Sequence, residues 1–397
     1  MLKKYKIILA IIVILLLLCI CKEVNAAGVN LCRLKSTTQA RNSDGTVQFV
    51  LPKDTVVDFI QYHKNKKYAL CEYKVNYVGK KYRKKGYIAV KKLQSDKAAD
   101  YKYVDIETFC VLKYESAVKD SNGKIQFILP ADTVVKYIKQ HSSNKKYALC
   151  EYKVNYMGDK YVKRGYILVN SLKADKKLTA CNYFKINNQS EINVIKNKIQ
   201  IIRYADYINN LGVKYSDNII NRVAFYEKYE KLNKPKTDCA SLCATIYNRV
   251  LGIDFYRDSK EINIWTVPFF VDNAENRFCY ADTKSKGTRF FYKVKEINNG
   301  KGSISLDTMQ IGDSVVIGKS YSRDKNGKNI EFDHIYMYIG DGVLIESIYY
   351  DGGNDKEYKK VVKRDVPKYF YTAQRGDGNG QWHYIIQIRP LYKYMSR

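Results

Sequence analysis

Histidine is the scarcest titratable residue here, with four in 397 positions, so any chemistry that needs an imidazole base has only His63, His141, His334 and His383 to draw on. The ten cysteines show no zinc-ligand spacing, which removes a structural metal from expectation and leaves no cofactor motif. Acidic residues are also short, 40 Asp and Glu against 69 Lys and Arg, for a formal net charge of +29. A charge that large implies an anionic partner. The lysines are scattered and no nucleic-acid motif accompanies them, so nucleic acid is not the partner to expect. No apolar run is long enough for a comfortable membrane span; the longest, Ile7 to Cys21, has about fifteen residues.

That run has another reading. Lys3, Lys4 and Lys6 precede it, and Val24, Asn25 and Ala26 follow as a small-residue cleavage site. The layout predicts a signal peptide over residues 1–26, export, a mature chain starting near Ala27, and no stable membrane insertion after removal. Loss of Met1 to Ala26, with four lysines and one glutamate, leaves a net charge of +26. Export directs that charge toward anionic cell-wall polymers, acidic glycans or a membrane surface, in a secreted or wall-associated protein.

The first half is a tandem repeat. VQFVLPKDTVVDFI from Val47 returns as IQFILPADTVVKYI from Ile125, and KKYALCEYKVNYVGKKY from Lys66 returns as KKYALCEYKVNYMGDKY from Lys145. The offset grows from 78 residues at Pro52 and Pro130 to 79 at Cys71 and Cys150, which places one inserted residue near Ser142 and Ser143. Two units follow, residues 28–97 and 104–175, with a lysine- and aspartate-rich linker between them. Short alternating apolar runs broken by Asp-Gly, Asn-Gly, Pro or Gly predict a small all-β barrel in each. The order LPKDTVV, YALCEYKV, GYIAVKKL resembles the bacterial SH3-like domain, whose copies often flank cell-wall enzymes as binding or positioning modules.

Eight cysteines remain after residue 26, and export favours pairing some of them. Equivalent repeat positions suggest disulfides Cys32 to Cys71 and Cys110 to Cys150, with free core thiols as the alternative; Cys181 and Cys279 would make a further pair. His63 and His141 are also equivalent, which argues for a fold role rather than chemistry.

In the second half, Ile192, Ile195, Ile199 and Ile202 mark an amphipathic helix that ends near Gly212. The sequence TDCASLCATIYNRVL then passes from a polar loop to a second helix, with Cys239 in its first turn. Orphan backbone N–H groups and the helix dipole favour a thiolate there, and Cys243 one turn on reads as core. Strands are expected at Asp313–Ile317, His334–Ile339, Val343–Ile348 and Tyr384–Arg389, giving an α+β domain over residues 185–397.

DCASL from Asp238, IGDSVV from Ile311 and HIYMYIGDGVLIE from His334 occur in the order helix-borne cysteine, then strand-borne histidine beside a hairpin. In this the chain resembles the NlpC-type cell-wall cysteine peptidases, which have a papain-like fold. Ala240 and Ser241 replace the Ser-Gly that usually follows that family's Asp-Cys, and Ile311 stands for proline.

The resemblance implies hydrolysis of a stem-peptide bond in peptidoglycan, commonly D-γ-glutamyl to diaminopimelate or lysine. It assigns Cys239 as nucleophile, His334 as base and Glu346 at the third position, where the family usually has His, Asn or Gln. Asp238 and Ser241 are the expected substrate contacts at the helix start, with Tyr226, or else Tyr229, as the substrate-binding tyrosine. The alternatives are an N-acetylmuramoyl-L-alanine amidase or acyltransferase on the same scaffold, or a non-catalytic wall-binding protein.

Overall fold

The computed structural model describes residues 30–253, 255, 267, 270, 271, 274, 289–298, 304–319, 331–350, 358–366 and 382–397. The expected signal peptide, Trp265, Cys279 and the side chain of His383 lie outside that set.

Each repeat is a curled sheet. The first has β1 (Leu31–Leu34), β2 (Thr38–Arg41), β3 (Val47–Leu51), β4 (Val56–Tyr62), β5 (Tyr68–Tyr77), β6 (Lys80–Ala89), β7 (Leu93–Ser95) and β8 (Val104–Asp105). Hydrogen-bonded order is β3-β2-β6-β5-β4-β1-β7, with β8 beside β5. The second copy has β9 (Thr108–Leu112), β10 (Ser116–Lys119), β11 (Ile125–Leu129), β12 (Val134–Gln140), β13 (Tyr147–Tyr156), β14 (Asp159–Leu168), β15 (Leu172–Ala174) and β16 (Tyr183–Ile186) in the same order. Alternation sets the inner face: Ala69, Cys71, Tyr73 and Val75 of β5 are fully buried, and Ala148, Cys150, Tyr152 and Val154 repeat them in β13. Gly86 and Gly165 let the neighbouring strand cross closely, since a Cβ at Gly165 would stand 2.3 Å from a Val118 methyl. The inserted residue stays in the β12 to β13 loop, which leaves both ladders intact.

The disulfides expected in each repeat do not form; Cys32, Cys71, Cys110, Cys150 and Cys181 are free thiols. The sheet order explains why. β4 lies between β1, which carries Cys32, and β5, which carries Cys71, and β12 separates β9 from β13 in the same way. Two strand spacings are about 9.6 Å, beyond the reach of a disulfide, whose Cα atoms sit at most about 6.8 Å apart. Burial and the neighbouring Cys32 and Asp58 push the Cys71 thiol up to about 12.

The two copies differ in what covers them. The chain divides into two compact units, one running to Glu107 with Ile138–Gln140, the other comprising Thr108–Tyr137 and His141–Arg397. The second repeat thus belongs mostly to the C-terminal unit, and the sequence had offered two equal modules. In the first repeat Val47 and Val50 are 40% and 49% exposed; their counterparts Ile125 and Ile128 are buried, with Ala117, in the C-terminal core.

That core is built on α1 (Gln189–Asn210), β17 (Lys214–Tyr215), α2 (Ile219–Lys228), β18 (Lys236–Thr237) and α3 (Cys239–Leu251). The strands β19 (Phe291–Asn298), β20 (Ser314–Lys319), β21 (Glu331–Tyr338), β22 (Val343–Tyr350), β23 (Tyr358–Asp365) and β24 (Trp382–Pro390) follow, then the short α4 (Tyr392–Met395). The sheet runs β18-β17-β23-β22-β21-β20-β24-β19. Both expected helices and all four expected strands are present; α2, α4, β17, β18, β19 and β23 are additional. Asn188 caps α1 by accepting from Glu191 N, so the helix starts ahead of its apolar stripe.

One buried charge pair fastens the second repeat to this core. Glu115 accepts from Lys198 Nζ of α1 at 2.6 Å and from the backbone N of Ile311 at 2.6 Å. Beside it, Asp341 N donates to Glu115 O and Asp341 Oδ1 accepts from Ala117 N at 3.3 Å. Asp341, with φ 55°, lies between Gly340 and Gly342 in the turn joining β21 to β22. Its carboxyl is pushed up to about 6, because burial outweighs Lys119 and the hydrogen bonds from Ala117 and Ser116.

Candidate active site

The site starts at the N-terminus of α3. Asp238 is the N-cap: its Oδ1 accepts from Ser241 N at 2.7 Å, while Asp238 N donates to Ser241 Oγ at 3.2 Å, a reciprocal capping box. Asp238 Oδ2 also pairs with Arg222 Nε of α2 at 2.9 Å. Both capping side chains are buried. Their polar atoms are engaged at the helix start, so Asp238 and Ser241, expected as substrate contacts, build the helix N-terminus that presents Cys239. With those orphan donors satisfied, Cys239 is set as the first helical residue, 7% exposed. α3 is buried all round from Cys239 to Tyr247, since α1, α2 and the sheet enclose it.

Cys243 is core, as expected. Burial, then the nearby Cys239, push its thiol well above the ordinary range.

The sheet supplies the partners. β21 and β22 are paired at Met337 with Ile345 and Tyr338 with Leu344, and β22 meets β23 at Leu344 with Arg364 and Glu346 with Val362. By the two-residue period, His334, Tyr336, Leu344, Glu346, Val362 and Arg364 share one face. His334 and Glu346 are diagonal neighbours on it, and so are Glu346 and Arg364.

The contacts follow from that placement. His334 Nε2 lies 2.6 Å from Glu346 Oε2, and the imidazole is hydrogen-bonded to the Cys239 side chain. The Tyr336 ring stands edge-on to the imidazole at 4.5 Å. Glu346 is fully buried, and its other oxygen, Oε1, forms an ion pair with Arg364 Nε. Arg364 also donates to Tyr336 Oη at 2.9 Å. Ser347 Oγ donates to Thr237 O at 2.9 Å, which ties the Glu346 strand to the chain entering α3.

Burial by itself would lower the histidine pKa. The Cys239 charge, its hydrogen bond and the Glu346 carboxylate outweigh burial and push His334 up to about 10. A histidine so placed holds a proton at neutral pH, the arrangement that stabilises a thiolate-imidazolium pair. Cys239, His334 and Glu346, the three residues expected to act together, therefore meet at one point.

The tyrosines do not. Tyr226 is 5% exposed and its Oη accepts from Phe255 N at 3.3 Å. Tyr229 is 2% exposed and its hydroxyl bonds to that of Tyr204. Both, expected as candidates for the substrate-binding tyrosine, fill the core. Tyr215 is the tyrosine beside the thiol; burial, then Cys239 and Asp238, push its hydroxyl up to about 12. The parallel pairing of Tyr215 with Thr237 brings it to the helix start. Arg364 also had no sequence signal, because its strand was not recognised.

The NlpC/P60 family matches residues 227–370, which hold Cys239, His334, Glu346 and Arg364. The chain carries an NlpC/P60 domain. That family is one of cell-wall peptidases and hydrolases, generally cysteine enzymes. Among solved structures, the chain is similar to NlpC2 of Trichomonas vaginalis, at 16% identity over 91% of this chain and 96% of that one, TM-score 0.22. It is likewise similar to NlpC1 of the same organism, at 16% identity over 91% and 92%, TM-score 0.22. An NlpC/P60 family protein from Bacillus cereus matches at 12% identity over 91% and 99%, TM-score 0.24. No curated protein matches the chain.

Proposed function

We propose that the protein is an exported peptidoglycan hydrolase, cleaving a stem-peptide bond such as D-γ-glutamyl to diaminopimelate or lysine through Cys239, His334 and Glu346. The observation that carries the reading is the buried Glu346 carboxylate 2.6 Å from His334 Nε2, with the imidazole on the Cys239 thiol. Thiolate attack on the amide carbonyl forms an acyl-enzyme, His334 passes its proton to the leaving amine, and water then releases the acyl group. Glu346 keeps the imidazole turned toward the thiol and stabilises its charged form. The net charge of +29 favours an anionic wall as the surface on which the enzyme works.

Mass spectrometry of muropeptides digested by the reduced protein tests the reaction and the bond together. Products ending in D-glutamate are expected. Release at the sugar-to-alanine link would reassign the protein to an amidase, and intact muropeptides of every wall type with retained wall binding would make it a binding protein.

A further inference from the structure

Glu346 stands where a neutral orienting side chain would be the simpler choice, because a carboxylate with no exposed surface is costly to keep ionised. The fold compensates from the neighbouring strand. One carboxylate oxygen faces His334 and the other faces the Arg364 guanidinium. Tyr336 fixes that guanidinium in turn, since its hydroxyl accepts from Arg364 while its ring stands against the imidazole.

We propose that Arg364 is a positioning residue of the cysteine site, holding the Glu346 carboxylate aimed at His334 from the side opposite the thiol. The inference rests on the reading of Cys239 as a reactive thiol. The four-residue relay Cys239, His334, Glu346, Arg364 spans α3 and three adjacent strands, each link coming from a different element. Among the described residues, the charged or titratable groups around Glu346 are His334 and Tyr336 from β21, Cys239 and Cys243 from α3, and Arg364 from β23. Lys363, the next cation along β23, is engaged elsewhere with Asp206.

Loss of the Arg364 charge acts on the thiol in two ways, both in one direction. The buried Glu346 carboxylate loses its second partner and holds the imidazolium less firmly. The thiolate also loses the field of a nearby cation. Thiolate formation should therefore need a higher pH, whereas an arginine that only filled space would leave the profile where it is.

The test follows Cys239 alkylation by iodoacetamide against pH in the full chain, read by peptide mass spectrometry, beside thermal melting. For Arg364→Met the midpoint of the rate profile is expected to rise by about one pH unit or more. Arg364→Lys, which keeps the charge, should recover most of that rise. Tyr336→Phe frees the guanidinium without removing its charge and should move the midpoint up by about half a unit, so it carries the test if the methionine variant does not fold. Profiles for the methionine and phenylalanine variants that superimpose on wild type would overturn the proposal, as would a lysine variant shifted as far as the methionine one.

Labelling reads the thiol without any wall substrate, so the two readings fail separately. The expected shifts in a protein that releases no muropeptide would remove the hydrolase function and leave the role of Arg364 standing. Unshifted profiles in an active hydrolase would remove the role of Arg364 alone.

Discussion

Cys71, Cys150 and Cys239 are all buried, and all occur within regular structure, yet they face opposite chemical situations. Cys71 and Cys150 point inward from central strands of the repeats, where apolar neighbours penalise a thiolate; Cys71 is pushed up to about 12, and Cys150 also rises well above the ordinary range. Cys239 sits at a helix start with an imidazole on it, and that imidazole is itself held by a carboxylate. Burial is common to all three. What separates them is whether the fold supplies a positive partner for the charge, which is the difference between a core thiol and a nucleophile.

The comparison can be broken most sharply by native-state alkylation near pH 7. A thiol titrating at about 12 is about one part in 100,000 thiolate there, so Cys239 should react at least about a thousandfold faster than Cys71, read by peptide mass spectrometry. Comparable rates would erase the distinction. Next in size is Glu346→Gln, which keeps a hydrogen bond to His334 but loses the charge. Its kcat is expected to fall about 10- to 100-fold with little change in KM. An unchanged kcat would take Glu346 out of the site.

The repeats offer a smaller, structural version of the same contrast. Glu115→Ala leaves Lys198 buried without its carboxylate and should cost about 3–5 kcal/mol in denaturant unfolding. Its counterpart Thr37 is exposed in the first repeat, and Thr37→Ala should change stability by less than about 0.5 kcal/mol. Equal losses would mean that the second repeat is no more embedded than the first.

How much of this was legible follows the reach of each signal. The repeat was readable because it is written twice, and the alternation of Tyr68–Tyr77 specifies which side of the strand is inside. Cys239, His334 and Glu346 were readable because a helix start and a hairpin are local patterns, and the hairpin register then sets the His334 to Glu346 diagonal. Disulfide pairing was misread because equivalent positions in two repeats say nothing about strand order, and the strand placed between each pair decides it.

Arg364 and Tyr215 depend on pairing between distant segments, β23 with β22 and β17 with β18, which no local pattern encodes. Asp238 and Ser241 were located at the helix start, but their capping of it was not read. From sequence, a polar residue at a helix start looks the same whether it faces substrate or the backbone it caps. The embedding of the second repeat uses Glu115 where the first has Thr37, one of several differences between the two segments, and a single substitution of this kind carries no pattern.

Hydrolysis of the wall should depend on Cys239, the thiol that the fold joins to an imidazole. Release of soluble peptide from purified peptidoglycan, compared among wild type, Cys239→Ala and Cys71→Ala, tests it most directly. Release by wild type and Cys71→Ala with none from Cys239→Ala is the predicted result. Release by Cys239→Ala at the wild-type rate would contradict the account.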